Sequence, residues 1–510
     1  MHAELEETVE MSAVGGKSAV YEVNSQLRES SFWPQILACL SAASLHFAVG
    51  AVVGFSYIVI PYLESPKSDI RVTEEDMSWL GSVVALMLPA GSMVAGCIID
   101  KIGRLNTIRV AILPYVTGWF CIAVATGVPF LVVGRILTVF SMGLACIPAV
   151  VYITEVAKPD HRGALICTSP FLASLGILVM YAKAAFIYWR TICWISISYC
   201  VLPLLLMYWW SPESPVWLVS QGKTELALTS LKFLQRSDSK FQGGVAEQRL
   251  STLLEEHNKA TQSDIRRSTF GHLLSHFTKP TGYKPVLLLT VIFTLQGLSG
   301  IYIVLYCTAT FFKNIGTPIN PYICTVGVGV VKVVLGIVTI ILLRKFGRRP
   351  LFMLSCATMA LSIFTCGYYT KQIAEGHVEK YWNPMMCILV FTSAGVVGFM
   401  SIPYSMSAEL FPVELRGLAQ SLLAIIANLV LFVALKIYPF LSEFLGEYGV
   451  QWFFAAVSFG SIIFIYIFLP ETHRKELPEM QEYFTNNTAF PMEYDTLRKF
   501  YGIEEAVTAL

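Results

Sequence analysis

Long apolar stretches separated by short polar segments run through most of the chain. A helix needs about 20 mostly apolar residues to cross the hydrocarbon core of a bilayer, and twelve stretches reach that length. Because backbone groups in lipid need hydrogen-bond partners inside their own segment, each stretch is predicted to be an α-helix. The predicted spans are 36–62, 78–99, 107–126, 129–154, 164–187, 190–210, 285–312, 321–343, 350–370, 384–408, 418–442 and 451–470.

The composition indicates the same class of protein. Hydrophobic residues make up 55% of the 510 residues and charged residues only 14%, whereas soluble domains carry roughly 25% charged residues. A soluble fold cannot cover its surface with so few charges. The net charge of +1 gives no reason to expect a nucleic-acid partner. The sequence therefore predicts an all-α membrane protein embedded in a lipid bilayer.

The distribution of basic residues predicts which side of the membrane each loop occupies. Loops that hold more Lys and Arg usually stay in the cytoplasm. The short loops on the amino-terminal side are richer in basic residues than the opposite loops. With an even number of spans, both termini are predicted to be cytoplasmic in a multi-pass protein of the cell membrane. The basic residues are Lys101, Arg104, Arg109, Lys158, Arg162, Arg344, Lys345, Arg348, Arg349 and Arg416 on the terminal side, and Lys67, Arg71, Arg190, Lys313, Lys371 and Lys380 opposite.

Hydrophilic segments divide the chain into five parts. We expect a cytoplasmic tail at 1–33 and a six-helix bundle at 34–210. A cytoplasmic linker with short helices follows at 211–283, because this segment mixes charges of both signs with helix-like apolar spacing. A second six-helix bundle at 284–470 and a cytoplasmic tail at 471–510 complete the chain.

Three short motifs occur twice, in the same order and at the same place relative to the spans. A charged turn follows the second span of each half. A Glu with Arg-Gly seven residues later follows the fourth span, and Pro-Glu with a hydroxyl residue follows the sixth. Parallel repeats of this kind are typical of transporters with a solute site between two halves near mid-membrane. We therefore predict twelve transmembrane helices in two pseudo-symmetric six-helix bundles. The copies are Asp100 to Arg104 and Arg344 to Arg349, Glu155 with Arg162-Gly163 and Glu409 with Arg416-Gly417, and Pro212-Glu213-Ser214 and Pro470-Glu471-Thr472.

Further motifs accompany these repeats, namely Gly134-Arg135, Gln296 with Leu298-Ser299-Gly300-Ile301, and Pro403 with Phe411-Pro412. With them the chain resembles the major facilitator superfamily and, within it, the sugar porter family, over about residues 34–475. The spacing also resembles the group of insect facilitated trehalose transporters, which shares a Lys at the place of Lys436. The resemblance implies a carrier that works by rocking of two bundles, without a cofactor or metal and without enzymatic activity. It is expected to function as a monomer.

Charged residues of the repeated motifs lie where spans are predicted to leave the membrane. Ion pairs there can tie helices together, and several can act as a latch between two conformations. The resemblance implies that this latch holds the outward-open state. The alternative is that the basic residues only follow the positive-inside rule. The expected network comprises Asp100, Arg104, Arg135, Glu155, Arg162, Arg348, Arg349, Glu409 and Arg416.

The second charged turn and Arg135 depart from a simple repeat. In the second copy the usual acid is replaced by Arg344, which leaves Glu409 as the nearest candidate partner of a basic turn. Arg135 lies inside a span, where a charge is costly and must find Glu155, a carbonyl or water. We expect Arg135 to join the network, with snorkelling to the interface as the alternative.

The spans contain no interior Asp or Glu, whereas a proton-coupled symporter needs a titratable group in its pathway. The first span offers only His46, for which a hydrogen bond to a neighbouring helix is the favoured interpretation over a role in titration. The sequence therefore favours facilitated transport.

A sugar site needs amides that donate and accept hydrogen bonds, together with an aromatic ring for stacking. Sugar porters supply these groups from spans five, seven, eight, ten and eleven. Here one Gln is retained, but most other amides and the Trp are replaced, and the Asn of span eleven falls one place further along, a rotation of about 100° on a helix. The candidate substrate-binding residues are Ser174, Gln296, Tyr302, Tyr306, Lys332, Tyr404 and Asn428.

Three functions remain open at this point. The first is a facilitative carrier of a carbohydrate, either trehalose or a hexose. The second is a carrier of the same fold for an organic anion, because Lys332 in a cavity attracts negative charge. The third is a nutrient sensor that transports poorly and signals through its cytoplasmic segments. In each case a small solute, most simply a sugar, is the expected partner.

Overall fold

A computed structural model describes the protein over most of its length. Every regular element in the described residues is an α-helix. The helices are labelled α1 to α16 in chain order. The described residues are 33–63, 68–157, 159–234, 245–267, 277–306, 321–376, 382–411, 413–472, 480 and 483–485.

The first half of the chain forms six long apolar helices around one hydrophobic core. This core is built from aromatic and aliphatic side chains that all six helices contribute, among them the fully buried Trp119 and Trp189. Each helix begins and ends within about four residues of a predicted span. The helices are α1 (Trp33–Leu63), α2 (Glu74–Ile102), α3 (Arg104–Ala123), α4 (Val128–Val156), α5 (Pro159–Ala184) and α6 (Trp189–Trp210).

Small residues let the helices of this half approach closely. At Gly50 in α1, an added Cβ would lie 1.9 Å from the carbonyl oxygen of Ala173 in α5. The same contact recurs in reverse, since a Cβ at Gly176 in α5 would lie 2.3 Å from the carbonyl oxygen of Phe47 in α1. In lipid, packing between backbones replaces the hydrophobic effect as the source of helix association. These glycines therefore fix the distance between α1 and α5.

Three short helices follow the first half: α7 (Pro215–Ser220), α8 (Thr224–Leu234) and α9 (Val245–Arg267). They share a small hydrophobic core that includes Trp217, Leu231 and Leu253. Lys232 of α8 and Glu247 of α9 form an ion pair at 2.8 Å. This arrangement agrees with the helix-like spacing of the segment.

The second half again surrounds a single hydrophobic core. Its last helix extends over 56 residues but contains a non-helical residue, Gly446 (φ 69°, ψ 168°), which divides it into the two predicted spans 418–442 and 451–470. The helices are α10 (Pro280–Leu298), α11 (Ile301–Tyr306), α12 (Pro321–Lys345), α13 (Arg348–Ala374), α14 (Asn383–Val397), α15 (Ile402–Glu409) and α16 (Val413–Phe468).

Two predicted spans are interrupted where the sequence predicts continuous helices. Span seven breaks between α10 and α11 at Gly300, whose φ of 78° favours glycine. Span ten breaks between α14 and α15, at residues 398–401. Broken helices are tolerated inside a membrane protein where other groups satisfy the freed backbone. The predicted span 384–408 thus corresponds to one apolar stretch, Asn383–Ser407, with a break inside it. The predicted span 285–312 contains two helices up to residue 306, and its last residues lie outside the described residues.

Nine helices of the described residues are long and apolar enough to cross a membrane. The stretch Leu418–Phe468 counts once among them although Gly446 divides it. Of the 26-residue helix α5, the part Thr168–Ala184 is the longest with every side chain described, and it is too short to be counted. The broken span seven is not among the nine. The twelve predicted spans are thus partly visible as separate long helices.

Two helix pairs make most of the contacts between the two halves in the described residues. Helix α2 packs against the first part of α16, and α5 packs against α12. Because α2 and α5 are the second and fifth helices of one half, and α12 and α16 supply the second and fifth spans of the other, the two contacts are related by a pseudo-two-fold axis. This arrangement is the parallel repeat that the duplicated motifs predict.

Candidate functional site

The repeated charged motifs lie at one end of the helices. We call this end the motif face, defined by Asp100, Glu155, Arg348 and Glu409, and the other end the opposite face, defined by Trp79, Leu305 and Lys436.

On the motif face, Arg104 joins two helices of the first half. Its guanidinium contacts the Glu155 carboxylate at 2.8 Å through Nη2 and 2.9 Å through Nε, and contacts Asp100 at 3.0 Å. Ser214 adds a hydrogen bond from its hydroxyl to Glu155 at 2.5 Å. A bidentate, half-buried arginine–carboxylate pair is stronger than a surface ion pair. The network therefore connects the ends of α2, α3 and α4 to the start of α7.

Glu213 completes this network through the backbone. Its carboxylate accepts hydrogen bonds from the backbone N–H groups of Arg104 and Leu105, both at 3.2 Å, at the start of α3. A negative charge is favourable there because the helix amino terminus is partly positive. Gly103, with a φ of 98°, allows this approach, since an added Cβ would lie 2.9 Å from the Glu213 carboxylate.

The second half repeats the arrangement with different details. Arg348 contacts Glu409 at 3.0 Å, and the Thr472 hydroxyl donates to Glu409 as Ser214 does to Glu155. Glu471 accepts the backbone N–H groups of Arg348 and Arg349 at 2.9 and 3.0 Å. Arg348 donates to the carbonyl of Leu343 at 3.0 Å, as Arg104 donates to the equivalent carbonyl of Ile99 at 3.4 Å. This backbone contact is therefore common to both halves, whereas Arg344 stands in the place of the Asp100 carboxylate.

These ion pairs join helices within one half. The described pairs of Arg104 and of Arg348 do not cross from one half to the other. In this conformation they stabilise the two bundles separately, and the expectation that they latch the outward-open state stays a prediction. The side chains of Arg162 and Arg416, two further predicted members, lie outside the described residues.

Arg135 lies apart from the charge network, contrary to the prediction. It precedes Glu155 by five to six turns of α4, which is about 30 Å along the helix axis. Its side chain is 1% exposed, donates to the Val52 carbonyl at 2.8 Å and to the Ser56 hydroxyl, and lies over the Phe55 ring. Arg135 therefore binds α4 to α1 inside the first half. The sequence alone indicates this separation, because two residues 20 positions apart in one helix cannot contact each other.

Near the opposite face, α5 closes against the second half. The Tyr181 hydroxyl donates to the carbonyl of Leu305 at 3.4 Å. At Gly329 in α12, an added Cβ would lie 3.0 Å from both Leu178 and Tyr181. These two contacts join α5 to α11 and α12 at this level.

A second contact near the opposite face joins α2 to α16. The Lys436 ammonium lies 4.4 Å from the centre of the Trp79 ring, and Phe432 lies 6.1 Å from that ring. Ala85, one to two turns further along α2, is buried in the core of the second half. Sequence reasoning did not identify Trp79 or Tyr181, because aromatic residues near helix ends are equally typical of the membrane interface.

Four of the predicted site residues lie just beneath these contacts, on the side of the motif face. Helix α12 runs from the opposite face to the motif face and α5 runs the other way. Lys332 is therefore one turn below Gly329, and Ser174 is one turn below Leu178. Since Gly329 and Leu178 are in contact, Lys332 and Ser174 lie at about the same depth on facing helices of the two halves.

Tyr302 and Asn428 occupy equivalent places. Tyr302 is one turn below Leu305 in α11, and Asn428 is one turn below Phe432 in α16. The Asn428 amide donates to the Ala424 carbonyl at 2.8 Å. The side chains of Tyr302 and Tyr404 are hydrogen bonded to each other, which brings Tyr404 into the same group. Tyr404 is 44% exposed, so its ring is accessible from outside the packed core.

Gln296 lies in the wall of this region. It is 1% exposed, and its amide donates to the carbonyl of Phe399 in the break of span ten. The Ser355 hydroxyl accepts the N–H of Phe399 at 3.3 Å. Gln296 therefore faces protein and stabilises the broken helix in this conformation. The side chain of Tyr306, the last predicted site residue, lies outside the described residues.

One ion pair near the opposite face lies within the first half. Arg190 contacts Asp69 at 2.6 Å and donates to the Ala123 carbonyl at 3.2 Å. Partial burial raises the pKa of Asp69, but the hydrogen bond and charge of Arg190 outweigh it, so that the pKa lies below its ordinary value. The pair anchors the segment between α1 and α2 to α6.

Comparison with known proteins identifies the family. Residues 36–484 match the family described as sugar (and other) transporter. The match covers most of the chain, so the chain belongs to this family, and the resemblance to sugar porters of the major facilitator superfamily is confirmed.

Several relatives of the chain are trehalose transporters. The chain is 29% identical over 452 residues to the facilitated trehalose transporter Tret1 of Drosophila erecta, which covers 88% of this chain and 52% of that protein. It is 28% identical over 452 residues to trehalose transporter 1 of Drosophila melanogaster, with the same coverage. The chain spans about half the length of the curated relatives it matches.

Solved structures share the fold. The inward open conformation of the xylose transporter XylE from E. coli matches with a TM-score of 0.70 at 18% identity, over 87% of this chain and 98% of that chain. The proton:xylose symporter XylE bound to 6-bromo-6-deoxy-D-glucose matches with a TM-score of 0.64 at 21% identity, over 89% and 99%. The predicted all-α major facilitator fold is confirmed.

Proposed function

We propose that the protein is a facilitative carbohydrate carrier of the cell membrane that moves trehalose or a hexose down its gradient. The two six-helix halves open the site between them to one side of the membrane and then to the other. The trehalose transporters among its relatives support the solute class.

One observation carries this proposal. Hydroxyl and amide side chains from both halves lie at one depth, just below the contacts that join the halves near the opposite face. A sugar needs many hydrogen-bonding groups and an aromatic surface. Ser174, Tyr302, Tyr404 and Asn428 are such groups, and a solute between them is released only when the halves separate.

The sidedness of the proposal comes from the basic loops. Since the motif face carries most of the Lys and Arg of the short loops, we place it in the cytoplasm, together with both termini. The Tyr181–Leu305 and Lys436–Trp79 contacts then close the external mouth, so this conformation faces inward. The solute reaches the cytoplasm between the motif-face ends of the two halves.

The absence of ion coupling is part of the proposal. Residues 36–62 contain no Asp or Glu, and the other predicted spans contain none in their interior. A carrier without a titratable carboxylate in its pathway has no simple means of coupling to protons. Uptake is therefore expected to follow the solute gradient alone.

Radiolabelled uptake in oocytes tests the proposal. Trehalose or glucose uptake should saturate and stay constant when the external pH changes. Gln296→Ala should reduce uptake without loss of surface expression, because the break in span ten loses its amide partner. Uptake that follows the proton gradient would contradict the uniport mechanism. The absence of any carbohydrate uptake, with normal surface expression, would contradict the carrier assignment.

A further inference from the structure

Exposed apolar side chains identify the lipid-facing side of α12. Val330, Val334, Ile337 and Ile341 are each 45–52% exposed and follow the spacing of one helical face. Lys332 lies about 190° around the helix from the middle of this stripe. It therefore points away from lipid and towards the inside of the protein.

The space on that side of α12 is partly open. An added Cβ at Gly336, one turn below Lys332 on a similar face, would meet no atom of the described residues within 4 Å. Gly329, one turn above, packs closely against α5. Lys332 is half-buried between these two levels. Its side chain thus lies at the boundary between the closed contact and open space on the cytoplasmic side.

Lys332 lacks a described partner for its charge. Among the residues that the structure describes, it makes no ion pair, hydrogen bond or ring contact. The other two lysines of the spans differ, because Lys183 lies 4.3 Å from the centre of the Tyr199 ring and Lys436 lies 4.4 Å from that of Trp79. An unpaired ammonium at this depth is costly unless an anion or water compensates it.

We propose that Lys332 selects solutes that carry an anionic group, so that the carrier prefers an acidic carbohydrate. This inference rests on the proposed carrier function. The ammonium pairs with a carboxylate or phosphate of the solute, while Ser174, Tyr302, Tyr404 and Asn428 bind its hydroxyls. A carboxylate and a phosphate share this chemistry and are distinguished by the solutes tested.

The proposal predicts movement of charge. In an uncoupled carrier, a neutral sugar crosses without current. A solute with negative charge carries that charge across, so its entry produces an outward current that depends on membrane voltage. Lys332 neutralises the anion at mid-membrane but does not change the charge transferred per cycle.

Uptake and current measured together in voltage-clamped oocytes test the proposal. The probes are radiolabelled glucose, glucuronate and glucose 6-phosphate at equal concentration. Wild type should take up at least one of the two anions at least tenfold faster than glucose, with an outward current. Lys332→Gln should reduce anion uptake at least tenfold and retain glucose uptake. Lys332→Arg should keep most of the anion preference. Lys183→Gln, which removes a span lysine outside this group, should leave both rates unchanged.

The outcomes separate this inference from the proposed function. Glucose or trehalose uptake without anion uptake, unaffected by Lys332→Gln, would overturn the role of Lys332 and leave the carrier function intact. Anion uptake reduced equally by Lys183→Gln would also overturn it, because the uptake would then depend on the net charge of the protein and not on the position of Lys332. No uptake of any probe or of trehalose, despite surface expression, would refute the carrier function itself.

Discussion

The ammonium of Lys436 lies 4.4 Å from the centre of the Trp79 ring, and the two residues belong to different halves of the protein. The ammonium is buried and has no hydrogen-bond partner among the described residues. A desolvated cation–π contact can contribute about 2 kcal/mol. Because this contact must break when the opposite face opens, it favours the conformation described here.

The first prediction follows from this contact. Trp79→Leu leaves the Lys436 charge buried without a ring, so the closed contact should weaken by about 2 kcal/mol, or roughly thirtyfold in the equilibrium between states. A cysteine at the buried Ala85 position, introduced as Ala85→Cys, should then react faster with an impermeant maleimide applied from outside.

A double-mutant cycle separates the cation–π contact from packing. Trp79→Leu should have a much smaller effect when it is combined with Lys436→Met, because no buried charge is then left unpaired. Equal effects of Trp79→Leu with and without Lys436→Met would mean that the ring acts only by its shape.

The second prediction concerns the ion pair of the first half. Among the described residues, Arg104→Ala leaves the half-buried Glu155 carboxylate with only the Ser214 hydroxyl, at a cost of about 3 kcal/mol. The melting temperature of the detergent-solubilised protein should fall accordingly. Arg109→Ala is the matched control, since this arginine of the same helix is exposed and, of the side chains that the structure describes, hydrogen bonds only to Asn106 at 2.7 Å. Similar decreases in melting temperature for both variants would show that the Arg104–Glu155 pair does not stabilise the protein more than a surface contact does.

The third prediction separates backbone strain from a close contact. Gly103→Ala should destabilise the protein through its φ of 98° and through the Glu213 carboxylate, 2.9 Å from the added Cβ. Gly446→Ala has a similar backbone conformation (φ 69°, ψ 168°) but no described atom within 4 Å of the added Cβ, so it measures strain alone, which costs on the order of 1–3 kcal/mol. Thermal unfolding should show the greater loss for Gly103→Ala. Equal losses of stability would mean that the Glu213 side chain moves away from the added Cβ at no cost.

The fourth prediction is a pH dependence. The pKa of Asp69 is lowered, so its pair with Arg190 stabilises the folded protein above the ordinary carboxyl pKa of about 3.9 and loses this effect as the pH falls through the lowered value. Asp69→Asn should therefore be less stable than wild type at neutral pH, by up to about 1 kcal/mol for this exposed pair. The difference should close below about pH 3.9. A difference that is constant with pH would point to packing rather than charge.

Residue patterns predicted the architecture because span length and motif repetition are properties of the sequence alone. The two Glu residues that follow the fourth spans, Glu155 and Glu409, occupy matching places in the structure and contact Arg104 and Arg348. The two motifs have the same spacing and the same position relative to the spans, so the sequence alone predicts that the two Glu residues are equivalent.

Other features depend on contacts between distant segments, which the pattern does not contain. The break in span ten follows from a backbone carbonyl of Phe399 that the Gln296 amide satisfies. The contact of Trp79 with Lys436 depends on how the halves meet. The residue type of Arg135 indicates a member of the charge network, whereas its position along α4, about 30 Å from Glu155, places it elsewhere.

Solute counterflow with the purified protein in liposomes tests the central claim most directly. Liposomes loaded with unlabelled trehalose, hexose or sugar acid and diluted into the labelled solute should accumulate label transiently, without any ion gradient, and Gln296→Ala should slow the accumulation. A wild-type protein that is folded and correctly reconstituted, yet accumulates no label with any of these solutes, would contradict a carrier that opens alternately to the two sides.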